Sequence, residues 1–365
     1  MKILYIVDSP LAFTGGCWFH RNHIPAKGLM SRGHEVKITT INPNMGEEFY
    51  QWPEVVVFSR IYPFDPLPQM RKFKQMGKRV IYEIDDDFWG VNPDNPSVAI
   101  STEKRWQYEH IMAEADAITT TTEFLANKLK KFNKNIFIVP NAIDFGHYQE
   151  RFRAGQTLVI GYSGAASHWK DLEIVVEPLL QLQGKYEFDF VLQGMVSTPL
   201  ESEAYIMRQM INMNLQPEKN RYMEATLALY EKMRGLKYQH LPFYVPFLHS
   251  AVLRRCDMDI ALAPLQDNDF NKSKSCLKFY EYAALGSATL ASDVLPYNKE
   301  VGYCAKNTTK DWYEKLEKLI VDKKFREELA TKQRKWVMEN RDLGKIAMLW
   351  EKALDPLPID HDKNT

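Results

Sequence analysis

Residues 257–297 read DMDIALAPLQDNDFNKSKSCLKFYEYAALGSATLASDVLPY, and their order decides the fold. The apolar run Ile260–Ala263 is short and uninterrupted, as a strand buried on both faces must be. Pro264 ends it, and a polar loop of Asp, Asn, Lys and Ser follows. A helix is expected to begin near Ser273 or Ser275, either of which could be its N-cap, and to stop at Gly286. Another strand, residues 288–291, comes next. This order places a helix N-terminus at the carboxyl end of a parallel strand. Open α/β sheets bind ligands there, because free N–H groups and the helix dipole favour an anion.

Lys274, Lys278 and Glu281 stand at i, i+4 and i+7, so the reading puts all three on one face of that helix. Two ammonium groups near its start suit a diphosphate, and a carboxylate further along can accept hydrogen bonds from a ribose diol. The same residues also fit an exposed face with a Lys278–Glu281 ion pair, worth about 0.2–0.5 kcal/mol.

The alternation extends in both directions. Residues 3–7, 35–40, 55–59, 79–84, 117–121 and 136–139 are short strand-like runs separated by turn signals and helical segments. The stretch 151–156 is polar and linker-like, after which the pattern restarts with a strand at 158–162 and the glycine loop Gly161-Tyr162-Ser163-Gly164. A helix over 171–182 and a strand over 188–192 follow. The expected architecture is α/β: two Rossmann-like, doubly wound parallel-sheet domains, residues 1–152 and 153–338. The second carries a helical insert at about 198–237, rich in Met, Glu, Tyr and Arg. Trp312, Leu316, Leu319 and Ile320 mark one face of an amphipathic helix beyond it. Residues 339–365 hold a closing helix around Trp350 and a polar tail from Pro356 that is expected to fray.

Composition narrows the function classes. A chain of 365 residues exceeds one ordinary domain. Lys+Arg and Asp+Glu both total 47, so no global basic field points to nucleic acid. Cys17, Cys256, Cys276 and Cys304 are widely spaced and form no CxxC pair, which fits reduced thiols better than a disulfide framework. The opening MKILYIVDSP has too short an apolar run for a signal peptide, and no stretch reaches the length of a transmembrane segment. A soluble, cytoplasmic protein is expected; the sequence sets no oligomeric state.

The run KSxxKxxEYAALG at 274–286, followed by LASDVLPY, resembles the donor-binding segment of GT-B glycosyltransferases related to family 4. The resemblance continues in order along the chain: Gly33-His34-Glu35-Val36, then Val139-Pro140-Asn141-Ala142-Ile143-Asp144 with Ala142 in place of the usual Gly, then residues 161–171 (GYSGAASHWKD). It implies two domains facing a cleft, with the C-terminal helix crossing back to the first. It implies transfer of a sugar, with retention of configuration, from a nucleotide diphosphate donor to a hydroxyl acceptor, UDP being the commoner nucleotide. Glu281 would bind the ribose. Ser275 and the neighbouring backbone N–H groups of Cys276 and Leu277 would face the diphosphate, helped by Lys170 or Lys278. Gly164 and His168 lie in the second-domain glycine loop beside them. Gly15 and Gly16 would let the first domain's loop approach the donor, since glycine permits positive φ and close backbone contact. In one respect the chain departs from the family: the carboxylate often found eight residues before the ribose-binding one is Ser273 here.

Asp85, Asp86 and Asp87 follow a strand and precede Phe88 and Trp89. Three carboxylates at a strand end are candidate ligands for a divalent cation, as in the DxD motif of the other large glycosyltransferase fold. In the present setting they are read as facing the acceptor, one of them activating or hydrogen-bonding a hydroxyl. The aromatic pair would stack on a sugar or base. No metal and no cofactor beyond the nucleotide sugar are expected; His20 and His23, three residues apart, have no evident third ligand. The acceptor is expected to be a glycan. A hydroxymethylated pyrimidine in DNA is the alternative, with Arg208, Lys219, Arg221, Lys232, Arg234 and Lys237 of the insert as phosphate contacts. A sugar-nucleotide epimerase and an inactive nucleotide-sugar-binding module share the fold. A dehydrogenase would need a GxGxxG turn that neither glycine loop supplies.

Overall fold

The structure, a computed structural model, describes residues 1–7, 15–40, 46–60, 65–90, 102–152, 155–195, 200–216 and 220–355. The readings placed on residues 8–14, on Lys219 and on the tail from Pro356 lie outside the described residues, as does the side chain of Arg221. The chain forms two compact units. The described residues of 1–86, 102–142 and 343–355 make the first, and those of 87–90 and 143–342 make the second.

The first unit is built on six parallel strands: β1 (Lys2–Val7), β2 (Glu35–Thr40), β3 (Val55–Ser59), β4 (Arg79–Glu83), β5 (Ala117–Thr120) and β6 (Ile136–Ile138). Their order in the sheet is β2-β1-β3-β4-β5-β6. β3 reads VVVFS and is buried throughout, so its β-branched side chains pack on both faces and only a parallel, helix-covered sheet accommodates it. The helix Leu343–Leu354 packs here on the helix Ile24–Ser31, with Trp350 fully buried. Gly28 permits that contact, since a Cβ there would lie 2.8 Å from the Leu343 side chain.

The second unit repeats the plan with β7 (Val159–Ala165), β8 (Asp189–Met195), β9 (Gln239–Leu241), β10 (Ile260–Ala263), β11 (Ala288–Ser292) and β12 (Cys304–Ala305). All neighbours are parallel, in the order β12-β11-β10-β7-β8-β9. The insert is a pair of packed helices, Leu200–Asn212 and Asn220–Met233. Trp312, Leu316 and Leu319 of the helix Thr309–Val321 are fully buried, as their spacing requires. Among the described residues no helix is long and apolar enough to cross a membrane.

In each sheet the strand order reverses direction at one place: between β1 and β3 in the first, between β7 and β10 in the second. Loops leaving the carboxyl ends of strands on either side of such a reversal splay apart and open a crevice. Several of the candidate site residues sit in or just beyond those loops: Cys17 and Arg60 in the first unit, His168 and Lys274 in the second.

Candidate functional site

In the second unit, the loop after β7 and the loop after β10 meet at Asp171. This residue lies in the first turn of the helix Trp169–Gln183, where a carboxylate is favoured by the helix dipole. It is buried, and its oxygens accept three hydrogen bonds: from His168 Nδ1 at 2.7 Å, from the Gln266 backbone N–H at 2.7 Å and from Asn271 Nδ2 at 3.3 Å. Asn271 Nδ2 also donates to the Gln266 carbonyl at 3.0 Å, which fixes the orientation of its amide. Burial, followed by the charge of Lys278, pushes His168 down to about 4, against the pull of Asp171 in the other direction. The ring is therefore neutral at physiological pH.

The helix expected to face the phosphates starts later than its sequence suggested. A short helix, Asp269–Ser273, is capped by the Asn268 side chain and ends at Ser273, whose hydroxyl donates back to the Asp269 carbonyl. Lys274 leaves it in an extended conformation, and Ser275 stays outside any helix. The helix Leu277–Ala284 then begins from Cys276 with no side-chain cap, so neither Ser273 nor Ser275 caps it, and Gly286 at φ +84° stops it. The competing Asn268 cap took the residues that the spacing had placed on a single helix. Lys274 consequently precedes the helix that carries Lys278 and Glu281. An uncapped N-terminus leaves the N–H groups of its first turn, including those of Leu277 and Lys278, without intrahelical acceptors. Cys276 contributes only backbone here: its thiol is fully buried and raised well above the usual thiol range by burial and by Glu300.

Lys278 is the unusual group. It is half-buried, its ammonium lies 5.8 Å from the centre of the Tyr162 ring, and it makes neither a hydrogen bond nor an ion pair among the described residues. Burial first, and then the charge of Lys274, lower it to about 8, although Asp171 and Glu281 pull it back up. The Lys278–Glu281 ion pair that the spacing allowed does not form. Glu281, one turn further on, is buried; Tyr148 donates to its Oε1 at 2.5 Å, and His249 Nε2 lies 3.6 Å from its Oε2. Lys170 is in the first turn of the helix Trp169–Gln183 with its ammonium 5.1 Å from the Trp169 ring centre. The structure thus brings His168, Lys278 and Glu281 into one electrostatically linked group with Asp171 and Lys274. The pairing of Tyr148 and His249 with Glu281 carried no sequence signal, because 133 residues separate Tyr148 from its partner.

Two glycines near this group are set by close packing. Gly164 packs against Tyr162, whose hydroxyl would lie 2.6 Å from an added Cβ. Gly194, at φ +88°, approaches the Gly164 carbonyl so closely that a Cβ would stand 2.3 Å from it. Gly15 has φ −90° and Gly16 opens a helical turn with free space beside it, so neither uses the left-handed region.

In the first unit, the residues beyond β3 and β4 bind one another. Arg60 sits at φ +61°, a costly conformation for a long side chain, and is held there by two bonds. Its N–H donates to the Glu83 carbonyl, and its own carbonyl accepts from the Tyr82 hydroxyl. Its guanidinium meets Asp85 at 3.3 Å and Asp86 at 2.8 Å. Cys17, Asp85 and Asp86 each offer an atom within 4.8 Å of the others, a possible cation cluster in which Arg60 already supplies positive charge. Asp87 belongs to the second unit and turns its carboxylate onto the backbone N–H groups of Trp89 and Gly90, so the acidic triplet does not act as one group. Beneath lies a fully buried pair that the sequence did not announce. Arg21, in the π-helical turn Phe19–His23, holds Glu83 in a two-pronged bridge of 2.6 and 2.9 Å and reaches Asn141 and the Val139 carbonyl. Thr119 donates to the same carboxylate.

No protein-family model matches the sequence, and no curated protein matches it. Solved structures do match along nearly the whole chain. Sucrose-phosphate synthase of Thermosynechococcus elongatus is 13% identical with a TM-score of 0.68, over 96% of this chain and 98% of that one. The Anabaena protein HepE, solved in complex with UDP and glucose, is 11% identical with a TM-score of 0.65, over 98% and 100%. An alpha-glucosyltransferase solved in complex with UDP-glucose and DNA containing an abasic site is 12% identical with a TM-score of 0.62, over 97% and 99%. Two six-stranded parallel sheets in this order, with this extent of likeness, establish that the chain has the GT-B fold of those glycosyltransferases.

Proposed function

We propose that the protein is a glycosyltransferase that takes a sugar from a nucleoside diphosphate, UDP being favoured, and gives it with retention to a hydroxyl of a glycan. The observation that carries this reading is Lys278: a half-buried cation with no ion pair among the described residues, beside an uncapped helix N-terminus at the second switch point. Such a site is short of negative charge, and a diphosphate supplies it. Glu281, one turn away and already oriented by Tyr148, would accept from the ribose hydroxyls. In the reaction the acceptor oxygen bonds to the anomeric carbon as the bond from that carbon to the phosphate oxygen breaks. Lys274, Lys278 and the first-turn N–H groups would hold the charge that develops on the diphosphate, so no metal is required. The acceptor proton would pass to the departing phosphate. Asp85 and Asp86, held by Arg60, would accept hydrogen bonds from the acceptor's hydroxyls.

DNA as acceptor is the second reading, and the alpha-glucosyltransferase solved with DNA shows that this fold can hold both. Of the six cations expected to serve it, three are paired within the insert or with its neighbour: Arg208 and Arg234 with Glu231, and Lys232 with Glu173. Those three pairs reduce the positive charge the insert can offer a phosphate backbone, which favours the glycan. The test of the donor site is Glu281→Ala. Titration calorimetry should show UDP affinity falling by about tenfold or more, the size of a lost charged hydrogen bond. Unchanged affinity would remove the ribose from this position.

A further inference from the structure

The loop after β7 holds a histidine whose two nitrogens are treated differently. His168 Nδ1 faces a carboxylate that already accepts from two other donors, the Gln266 N–H and the correctly oriented Asn271 amide. A carboxylate in that position can only accept, so the proton of the neutral ring lies on Nδ1. Nε2 is left with a bare lone pair, makes no hydrogen bond to any described residue, and is not sealed from solvent. The side chain keeps 18% of its surface open.

A bare imine nitrogen cannot bond a phosphate oxygen, because both are acceptors. It needs an O–H or N–H donor, and in a nucleotide sugar two groups next to the diphosphate offer donors: the ribose, whose hydroxyls the reading above gives to Glu281, and the sugar ring. Resting on the donor reading above, we propose that His168 accepts a hydrogen bond at Nε2 from a hydroxyl of the donor sugar. Asp171 is then the positioning residue that holds the ring in this tautomer. The division of labour is chemical: Lys278 and the helix N-terminus serve the phosphates, and His168 reads the sugar. Burial and the charge of Lys278 keep the ring neutral, which preserves the lone pair. Asp171 also ties the loop after β7 to the loop after β10, so the histidine is held in register with the phosphate-side helix.

The experiment compares a nucleotide with and without its sugar. Affinities of the full chain for UDP and UDP-glucose are measured by calorimetry, with GDP and GDP-mannose as a second pair. His168→Ala should weaken the sugar nucleotide by about three- to tenfold, the worth of one neutral hydrogen bond, and leave the free diphosphate within about twofold. His168→Gln, whose Oε1 can take the place of Nε2, should recover part of the loss. Equal losses for both ligands would make His168 a phosphate or scaffold residue and overturn the proposal. A second reading needs no ligand: proton–nitrogen correlation spectra of histidine-labelled protein should show the His168 proton on Nδ1, moving toward Nε2 in Asp171→Asn. A proton on Nε2 in the unsubstituted protein also overturns the proposal. If neither nucleotide pair binds the unsubstituted protein, the donor reading falls and takes the sugar contact with it. Normal UDP binding with a failed His168 result rejects this proposal alone.

Discussion

At the first switch point Arg60 is bound to Asp85 and Asp86, and below it Arg21 is locked to Glu83. At the second, Lys278 has no ion pair among the described residues, and Asp171, the carboxylate with the largest electrostatic influence on it, spends its oxygens on His168, Gln266 and Asn271. Both sheets have six parallel strands and one reversal of strand order, yet the cations beside the two reversals are paired differently. A buried ion pair is a closed account: strongly destabilising to break, and indifferent to ligands. A half-buried cation without an ion pair is the reverse: it costs the fold something and gains from a bound anion. The contrast supports the proposed reading, in which the second unit binds the phosphates and the first contacts a neutral, hydroxyl-rich molecule.

The most severe way to break that contrast is to open the closed pair. Arg21→Ala would leave the fully buried Glu83 without its partner and should lower unfolding stability by about 3–5 kcal/mol, read from urea denaturation. Removing the lone cation should do nearly the opposite. Lys278→Met should leave stability unchanged or slightly raised while reducing UDP affinity about 10- to 100-fold, as a lost charge-assisted contact does. If Lys278→Met destabilised as strongly as Arg21→Ala, the lysine would be structural and the asymmetry between the units would be false.

Most of the fold was legible because parallel strands buried on both faces are written as plain apolar runs. The run at residues 55–59 and the run Ile260–Ala263 need no partner information to be recognised. Gly286 marked a helix end for a local reason, its positive φ. Legibility failed where one local signal outbid another: Asn268 caps an earlier helix, so Ser273 and Lys274 never join the one that carries Lys278 and Glu281. It failed more completely where the signal is not local. Arg21 meets a carboxylate 62 positions away and Tyr148 one 133 positions away, and neither has a neighbour in sequence that betrays it. The strained Arg60 looked like an ordinary strand-end residue, because φ is set by the bonds from Tyr82 and to Glu83 that only the folded sheet provides. The parts of the site written in sequence are those on one loop, and the parts missed are those that orient them.

The smallest expected effect is also the most diagnostic of the second switch point. Lys278 titrates near 8 in the unliganded protein, against an ordinary value of about 10.4. A diphosphate placed beside it favours the charged form, so binding takes up a proton wherever the pH exceeds the free value. Affinity for UDP should accordingly be flat from this group at pH 7 and fall as pH rises through 8 and 9, by at most about tenfold per unit. The fold itself should respond with the opposite sign. The folded value lies below the unfolded one, so between about 8 and 10 the unfolded chain binds more protons and stability rises with pH. Calorimetry in buffers of different ionisation enthalpy would count the proton taken up, and Lys278→Met should abolish both trends. A protein in which affinity and stability moved together with pH would have its uncompensated charge somewhere other than Lys278.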